Sequence, residues 1–83
     1  MRASAEITCY PFQSDYKAPI KAVIAKLQLY QQIQVTTYPS CTLLVGELDT
    51  VVQAIKETME WSFIEFGKGV FVVKFLPGIE LGA

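Results

Sequence analysis

The stretch Ile33-Gln34-Val35-Thr36-Thr37-Tyr38-Pro39-Ser40-Cys41-Thr42-Leu43-Leu44-Val45-Gly46-Glu47-Leu48-Asp49 decides how the rest of the chain is arranged. Ile33–Thr37 is rich in β-branched residues, and 41–48 is a second apolar run with the same period of two. Between them, Tyr38-Pro39-Ser40 has the composition of a turn. The segment therefore reads as a β-hairpin. With Thr37 facing Thr42, one side of the hairpin carries Ile33, Val35, Thr37, Thr42, Leu44 and Gly46. The other carries Gln34, Thr36, Cys41, Leu43, Val45 and Glu47, and a slip of one residue would exchange the two sets.

Each flank of the hairpin reads as a helix and a further strand. On the N-terminal side, Ile20, Val23, Ile24, Leu27 and Tyr30 recur at three- and four-residue steps, which predicts a helix from near 16–18 to about Gln31. Ser14 and Asp15 are its candidate N-caps, and Pro19 is tolerated in a first turn. Before it, residues 4–12 alternate as a half-buried strand, with Ala5, Ile7 and Cys9 facing one way and Glu6, Thr8 and Tyr10 the other. On the C-terminal side, Asp49 is a candidate N-cap for a helix over 50–66, with a core stripe of Val52, Ile55, Met59, Phe63 and Phe66. Trp61 lies opposite that stripe, where it either folds back on a loop or meets a second subunit. Gly67 and Gly69 then stop the helix, 70–76 is the last strand, and Pro77-Gly78 ends it.

The order β-α-β-β-α-β with right-handed crossovers gives an α+β, ferredoxin-like fold: a four-stranded antiparallel sheet with two helices on one face. The chain of 83 residues allows one domain, 1–83. Its apolar fraction of 52% against 18% charged residues is high for so small a body, and the sheet face without helices carries much of the excess. Packing of that open face against a second copy, as a homodimer or tetramer, is the expectation.

Composition also narrows the chemistry. There is no histidine or asparagine, the only arginine is Arg2, and the net charge is -1. Without clustered Lys and Arg a nucleic-acid partner is not expected. RNA-recognition domains of this topology stack bases on aromatics of the central strands, and here Tyr10 has no counterpart in 41–48. Catalysis is not expected either, since neither thiol has a histidine to activate it and Glu6, Glu47 and Asp49 form no motif. Two cysteines, Cys9 and Cys41, cannot supply the four ligands of a zinc site, and they read as reduced thiols of a cytoplasmic protein. No apolar run reaches the ~18 residues of a membrane span. The first residues lack the apolar core of a signal peptide. Neither a metal nor a cofactor is expected.

Thr8-Cys9-Tyr10-Pro11, the run Thr37–Asp49 and Leu76-Pro77-Gly78 together resemble the YkoF-type thiamine/hydroxymethylpyrimidine-binding domain. The resemblance implies a ferredoxin-like domain that binds thiamine or its pyrimidine half without transforming it, and a homodimer where only one domain is present. The positions that match are Thr8, Tyr10, Thr37, Thr42 and Gly46, while Cys41 stands where the family pattern has serine. Around these, Thr36 and the strand edges offer hydrogen bonds to an aminopyrimidine. Tyr10 or Tyr38 offers a stacking face, and Glu6 or Glu47 a counter-charge. A rival expectation is a structural or regulatory dimerisation module that binds no metabolite. Leu43, Val45, Val70 and Val72 would then fill the interface completely.

Overall fold

The computed structural model describes residues 1–82. Its elements are β1 (Arg2–Pro11), α1 (Lys17–Gln28), β2 (Gln34–Thr37), β3 (Thr42–Glu47), α2 (Leu48–Phe66) and β4 (Gly69–Pro77). The strands form one antiparallel sheet in the order β2-β3-β1-β4, the ferredoxin-like arrangement. Thr37 pairs with Thr42 and Val35 with Leu44, so the hairpin register is the one its β-branched pattern implies.

The core lies between the sheet and the helices. Ala5, Ile7, Leu44, Val23, Leu27, Ile33, Val51, Ala54 and Ile55 form it, with Cys9, Val35, Trp61, Phe71 and Val73 packed at its margin. Gly46 allows α2 to start against the sheet. A Cβ there would stand 3.2 Å from the Gln32 carbonyl oxygen and 3.5 Å from Val51 Cγ2. Close packing therefore accounts for this glycine.

Three local expectations are corrected. The N-cap of α1 is Tyr16, without a side-chain cap bond, and not Ser14 or Asp15; the helix also ends at Gln28. α2 begins at Leu48 with Glu47 as N-cap, which puts Asp49 in its first turn, where a carboxylate suits the helix dipole. The core stripe of α2 is Val51, Ala54, Ile55, Thr58 and Ser62, whereas Val52, Met59 and Phe63 are exposed. The helix carries two apolar stripes about 100° apart. The one with smaller side chains faces α1 and the sheet, and the larger one faces out. Trp61 is accordingly half-buried against the core, edge-on to Phe66 at 5.9 Å.

The loop after α1 is tied to α2 by Tyr30, whose hydroxyl donates to Glu57 Oε1 at 2.5 Å. Burial, and then the Glu57 carboxylate, push the Tyr30 phenol up to about 12, and the same bond holds Glu57 below the usual carboxylate range. A phenol whose pKa is raised on folding stabilises the fold fully below its unfolded value near 10, and that contribution is lost as pH rises toward 12. The melting temperature is therefore expected to fall over this alkaline window. Tyr30→Phe should flatten that fall relative to wild type, as thermal scans followed by circular dichroism would show.

Candidate functional site

The pairing places Glu6, Thr8 and Tyr10 on the sheet face opposite the helices. The Arg2–Glu47, Glu6–Leu43 and Thr36–Leu43 pairs put Thr36, Leu43 and Glu47 on that side. Val70, Val72 and Lys74 join them through β4. The face is nevertheless not all bare. After Pro77 the chain turns at Gly78, with φ of 76°, and residues 79–82 fold back as a strap. Ser4 Oγ donates to the Ile79 carbonyl at 2.6 Å and accepts from the Leu81 N–H at 2.8 Å, and Arg2 Nε meets Glu80 Oε1 at 2.7 Å. Gly82 arrives beside Leu43 and Tyr38. Ser4, Leu43 and Val45 are thereby buried, which corrects the expectation of a wholly open face.

The part left bare lies at the other end, beside the β2–β3 turn. The Tyr38 N–H bonds the Cys41 carbonyl at 2.8 Å, and Thr8 Oγ1 donates to the Ser40 carbonyl at 3.2 Å. These two bonds hold the turn against β1. A cavity of about 110 Å³ opens beneath it, between α1 and the sheet. Ile7, Cys9, Ile20, Val23, Ile24 and Leu27 form its apolar wall; Thr8, Tyr38, Ser40, Cys41 and Thr42 lie toward its polar side. On the other side of Thr8, Ser40 and Cys41 lies a shallower pocket of about 180 Å³, completed by Glu6, Val72 and Lys74. Glu6 and Lys74 stand 3.9 Å apart, and this exposed pair is weak enough for either to turn to a ligand. Burial pushes the Cys9 thiol up, which favours its neutral form on the cavity's apolar wall.

Of the residues singled out from the sequence, Thr8, Tyr38, Cys41 and Thr42 meet at the cavity, and Glu6 joins Thr8 and Cys41 at the shallow pocket. Thr37 faces Thr42 on the helix side and is exposed. Tyr10 is exposed across from Val70, outside both pockets, and Thr36 faces Leu43 nearer the sheet edge. Glu47 sits at the far end of β3, where its carboxylate holds the terminal ammonium of Met1 at 3.2 Å. The α1 residues Ile20 and Ile24 line the cavity, and Ser40, Val72 and Lys74 line one or both pockets, although none was singled out as a site residue. Helix residues on an apolar stripe look the same in a sequence whether they fill a core or wall a cavity. Among the described residues no three Asp, Glu or Cys side chains cluster closely enough to hold a metal, and no helix is long and apolar enough to cross a membrane.

The solved structure of protein SP2199 from Streptococcus pneumoniae superposes with a TM-score of 0.87 and 32% identity, covering 99% of this chain and 92% of that one. This chain belongs to the same family as SP2199. The same fold occurs in TM0486 of Thermotoga maritima, provisionally named a thiamine biosynthesis/salvage protein, with a TM-score of 0.89, 19% identity and coverage of 98% and 91%. It occurs also in hypothetical protein MJ1052 of Methanocaldococcus jannascii, with a TM-score of 0.82, 22% identity and coverage of 95% and 82%. No family model and no curated protein matches the chain.

Proposed function

We propose that the chain is a non-enzymatic binding protein for a small heteroaromatic ligand, thiamine or its hydroxymethylpyrimidine half. The observation that carries this reading is the junction of two pockets at Thr8, Ser40 and Cys41. One pocket is an apolar slot of about 110 Å³, somewhat smaller than the ~150 Å³ that holds a benzene ring in an engineered cavity. A slight outward movement of the Tyr38–Cys41 turn would admit one heteroaromatic ring. The other pocket offers the Glu6 carboxylate to a positive charge attached to that ring. Glu6 takes this role and Glu47 does not, because Glu6 lines the shallow pocket whereas Glu47 lies at the far end of β3. The resemblance of Thr8–Pro11 and Thr37–Asp49 to the YkoF-type domain supports the ligand class, as does the name given to TM0486. In this reading a second copy of the chain, stacked on the bare part of the sheet face, closes the shallow pocket.

Calorimetric titration with thiamine and with hydroxymethylpyrimidine tests it. Binding is expected with both. Glu6→Gln should weaken thiamine by about 10-fold, the loss of one partly exposed charge pair, while leaving hydroxymethylpyrimidine nearly unchanged. Cys41→Ser should tighten both by a few-fold, since a hydroxyl is the better hydrogen-bond partner. Absence of heat and of any thermal shift at millimolar ligand would overturn the proposal.

A further inference from the structure

We infer that the strap of residues 79–82 bears on the Tyr38–Cys41 turn and holds it closed over the apolar cavity, so that docking of the strap and entry of a ligand beneath the turn oppose each other. The ligand half of this inference rests on the binding reading above, whereas the coupling of strap to turn does not. The strap docks along a defined path. Gly78, with φ of 76°, reverses the chain after β4, and its N–H bonds the Arg2 carbonyl at 2.9 Å. The Ile79 N–H then returns to the Leu76 carbonyl at 3.3 Å. Ser4, wholly buried, serves the Ile79 carbonyl and the Leu81 N–H with one hydroxyl. A hydroxyl used twice fixes the strap where it crosses β1, because a shift would leave polar groups short of a partner.

From Ser4 the strap runs toward the β2–β3 turn. Ser4 pairs with Val45 and Glu6 with Leu43, so Leu43 lies one step nearer that turn. Gly82 stands over Leu43. A Cβ there would lie 3.3 Å from Leu43 Cδ2 and 3.8 Å from the Tyr38 hydroxyl oxygen. Its φ of 67° is left-handed, so a side chain at this position is opposed both by the backbone and by the space. Leu43 and Val45 are buried on a face that no helix covers. The strap thus reaches Tyr38 and packs on the strand that leads away from the turn.

Tyr38 belongs to both parts. Its hydroxyl is beside the strap, its N–H closes the turn on the Cys41 carbonyl at 2.8 Å, and it lines the cavity. That cavity, about 110 Å³ between α1 and the sheet, is smaller than the ~150 Å³ that holds a benzene ring. A ring entering it pushes the turn away from α1, toward the opposite face of the sheet. Gly82 occupies that side, packed on Leu43, and stands in the way of the movement while the strap is docked. The bond from Thr8 Oγ1 to the Ser40 carbonyl also ties the turn, but it is exposed and 3.2 Å long, a weak restraint. The packed strap adds the stronger one. Such a coupling is reciprocal: the factor by which the strap weakens the ligand is the factor by which the ligand loosens the strap.

Amide hydrogen exchange on the free protein tests the coupling, and calorimetry tests its consequence. Ser4→Ala should speed exchange of the Leu81 amide and with it the Tyr38 amide, each by about 10-fold or more. The Gly67 amide, bonded to the Phe63 carbonyl at the far end of α2, should keep its rate. Gly82→Ala, strained at its φ and pressed on Leu43, should speed the Tyr38 amide from the other end of the strap. It serves if Ser4→Ala folds poorly or keeps its strap docked. Both variants should bind hydroxymethylpyrimidine about 5-fold more tightly than wild type, and saturating hydroxymethylpyrimidine should speed the Leu81 amide of wild type. A Tyr38 amide that keeps its wild-type rate once the strap is free would overturn the inference, as would equal affinity in wild type and both variants. No heat from hydroxymethylpyrimidine or thiamine in any of the three proteins would instead overturn the binding reading, and Tyr38 exchange would then decide the coupling of strap to turn by itself.

Discussion

Leu44→Ala is expected to lower the unfolding free energy by about 2–5 kcal/mol, the range for truncating a fully buried leucine. Leu44 is wholly buried on β3, between Ala5 of β1 and Val35 of β2. Leu44 packs in the core cluster with Leu27, Val51 and Ile55, and its β1 neighbour is only an alanine, so truncation leaves a cavity. A domain of this size holds about 5–15 kcal/mol in total, so the substitution removes a large share. The melting temperature should fall by roughly 8–40 °C, at ~4–8 °C for each kcal/mol in a chain of this length. Urea denaturation checks it directly. A loss under about 1 kcal/mol would mean that the helices can settle onto the sheet. As a contrast, Leu29→Ala, at an exposed position beyond the end of α1, should change stability by less than about 0.5 kcal/mol.

Ser4→Ala is expected to release the C-terminal strap. The Ser4 hydroxyl is fully buried and serves two backbone groups at once, accepting from Leu81 and donating to Ile79. Alanine leaves a part-buried N–H and a part-buried carbonyl without a partner, at a cost of about 1–3 kcal/mol at most. The strap has few other ties, the exposed Arg2–Glu80 pair among them, so it can regain water for those groups by lifting off. Global stability should therefore fall by less than the local cost. The amide of Leu81 should lose most of its protection against exchange, residues 79–82 should become open to proteolysis, and Leu43 and Val45 should be uncovered. A strap that stays protected in Ser4→Ala would show that apolar contact with Leu43 and Val45 is enough to hold it.

The hairpin and its register were legible because Val35, Thr37, Thr42 and Leu44 alternate with residues of different character, and a period of two leaves little freedom. The face of α2 was not legible. Val52, Met59 and Phe63 form as good an apolar stripe as the one that is buried, and larger side chains argue for the core when only hydrophobicity is weighed. The folded chain decided otherwise and buries the stripe with alanine, threonine and serine. The caps were missed for a related reason. Ser14, Asp15 and Asp49 can each cap a helix, but the strand ends and crossovers place the first turns at Lys17 and Leu48.

For the site, Thr8, Tyr38, Cys41 and Thr42 could be brought together on paper because the turn and the register are local. Glu47 could not be separated from Glu6 by the same means. Both face the same side of the sheet, and only the folded pockets show that Glu6 lines one of them and Glu47 neither.

The sequence by itself determined the order of elements, the pairing of β2 with β3 and the side of the sheet to which each strand residue belongs. It also determined which chemical groups are available, because absent histidine and asparagine cannot be supplied by folding. These are properties of local period and composition. Only the tertiary structure decided which stripe of α2 is core, that Ser4 binds a strap some 75 residues away along the chain, and that one end of the sheet face remains bare. Those outcomes depend on surfaces distant in sequence competing for the same space, and no local pattern records which of them wins.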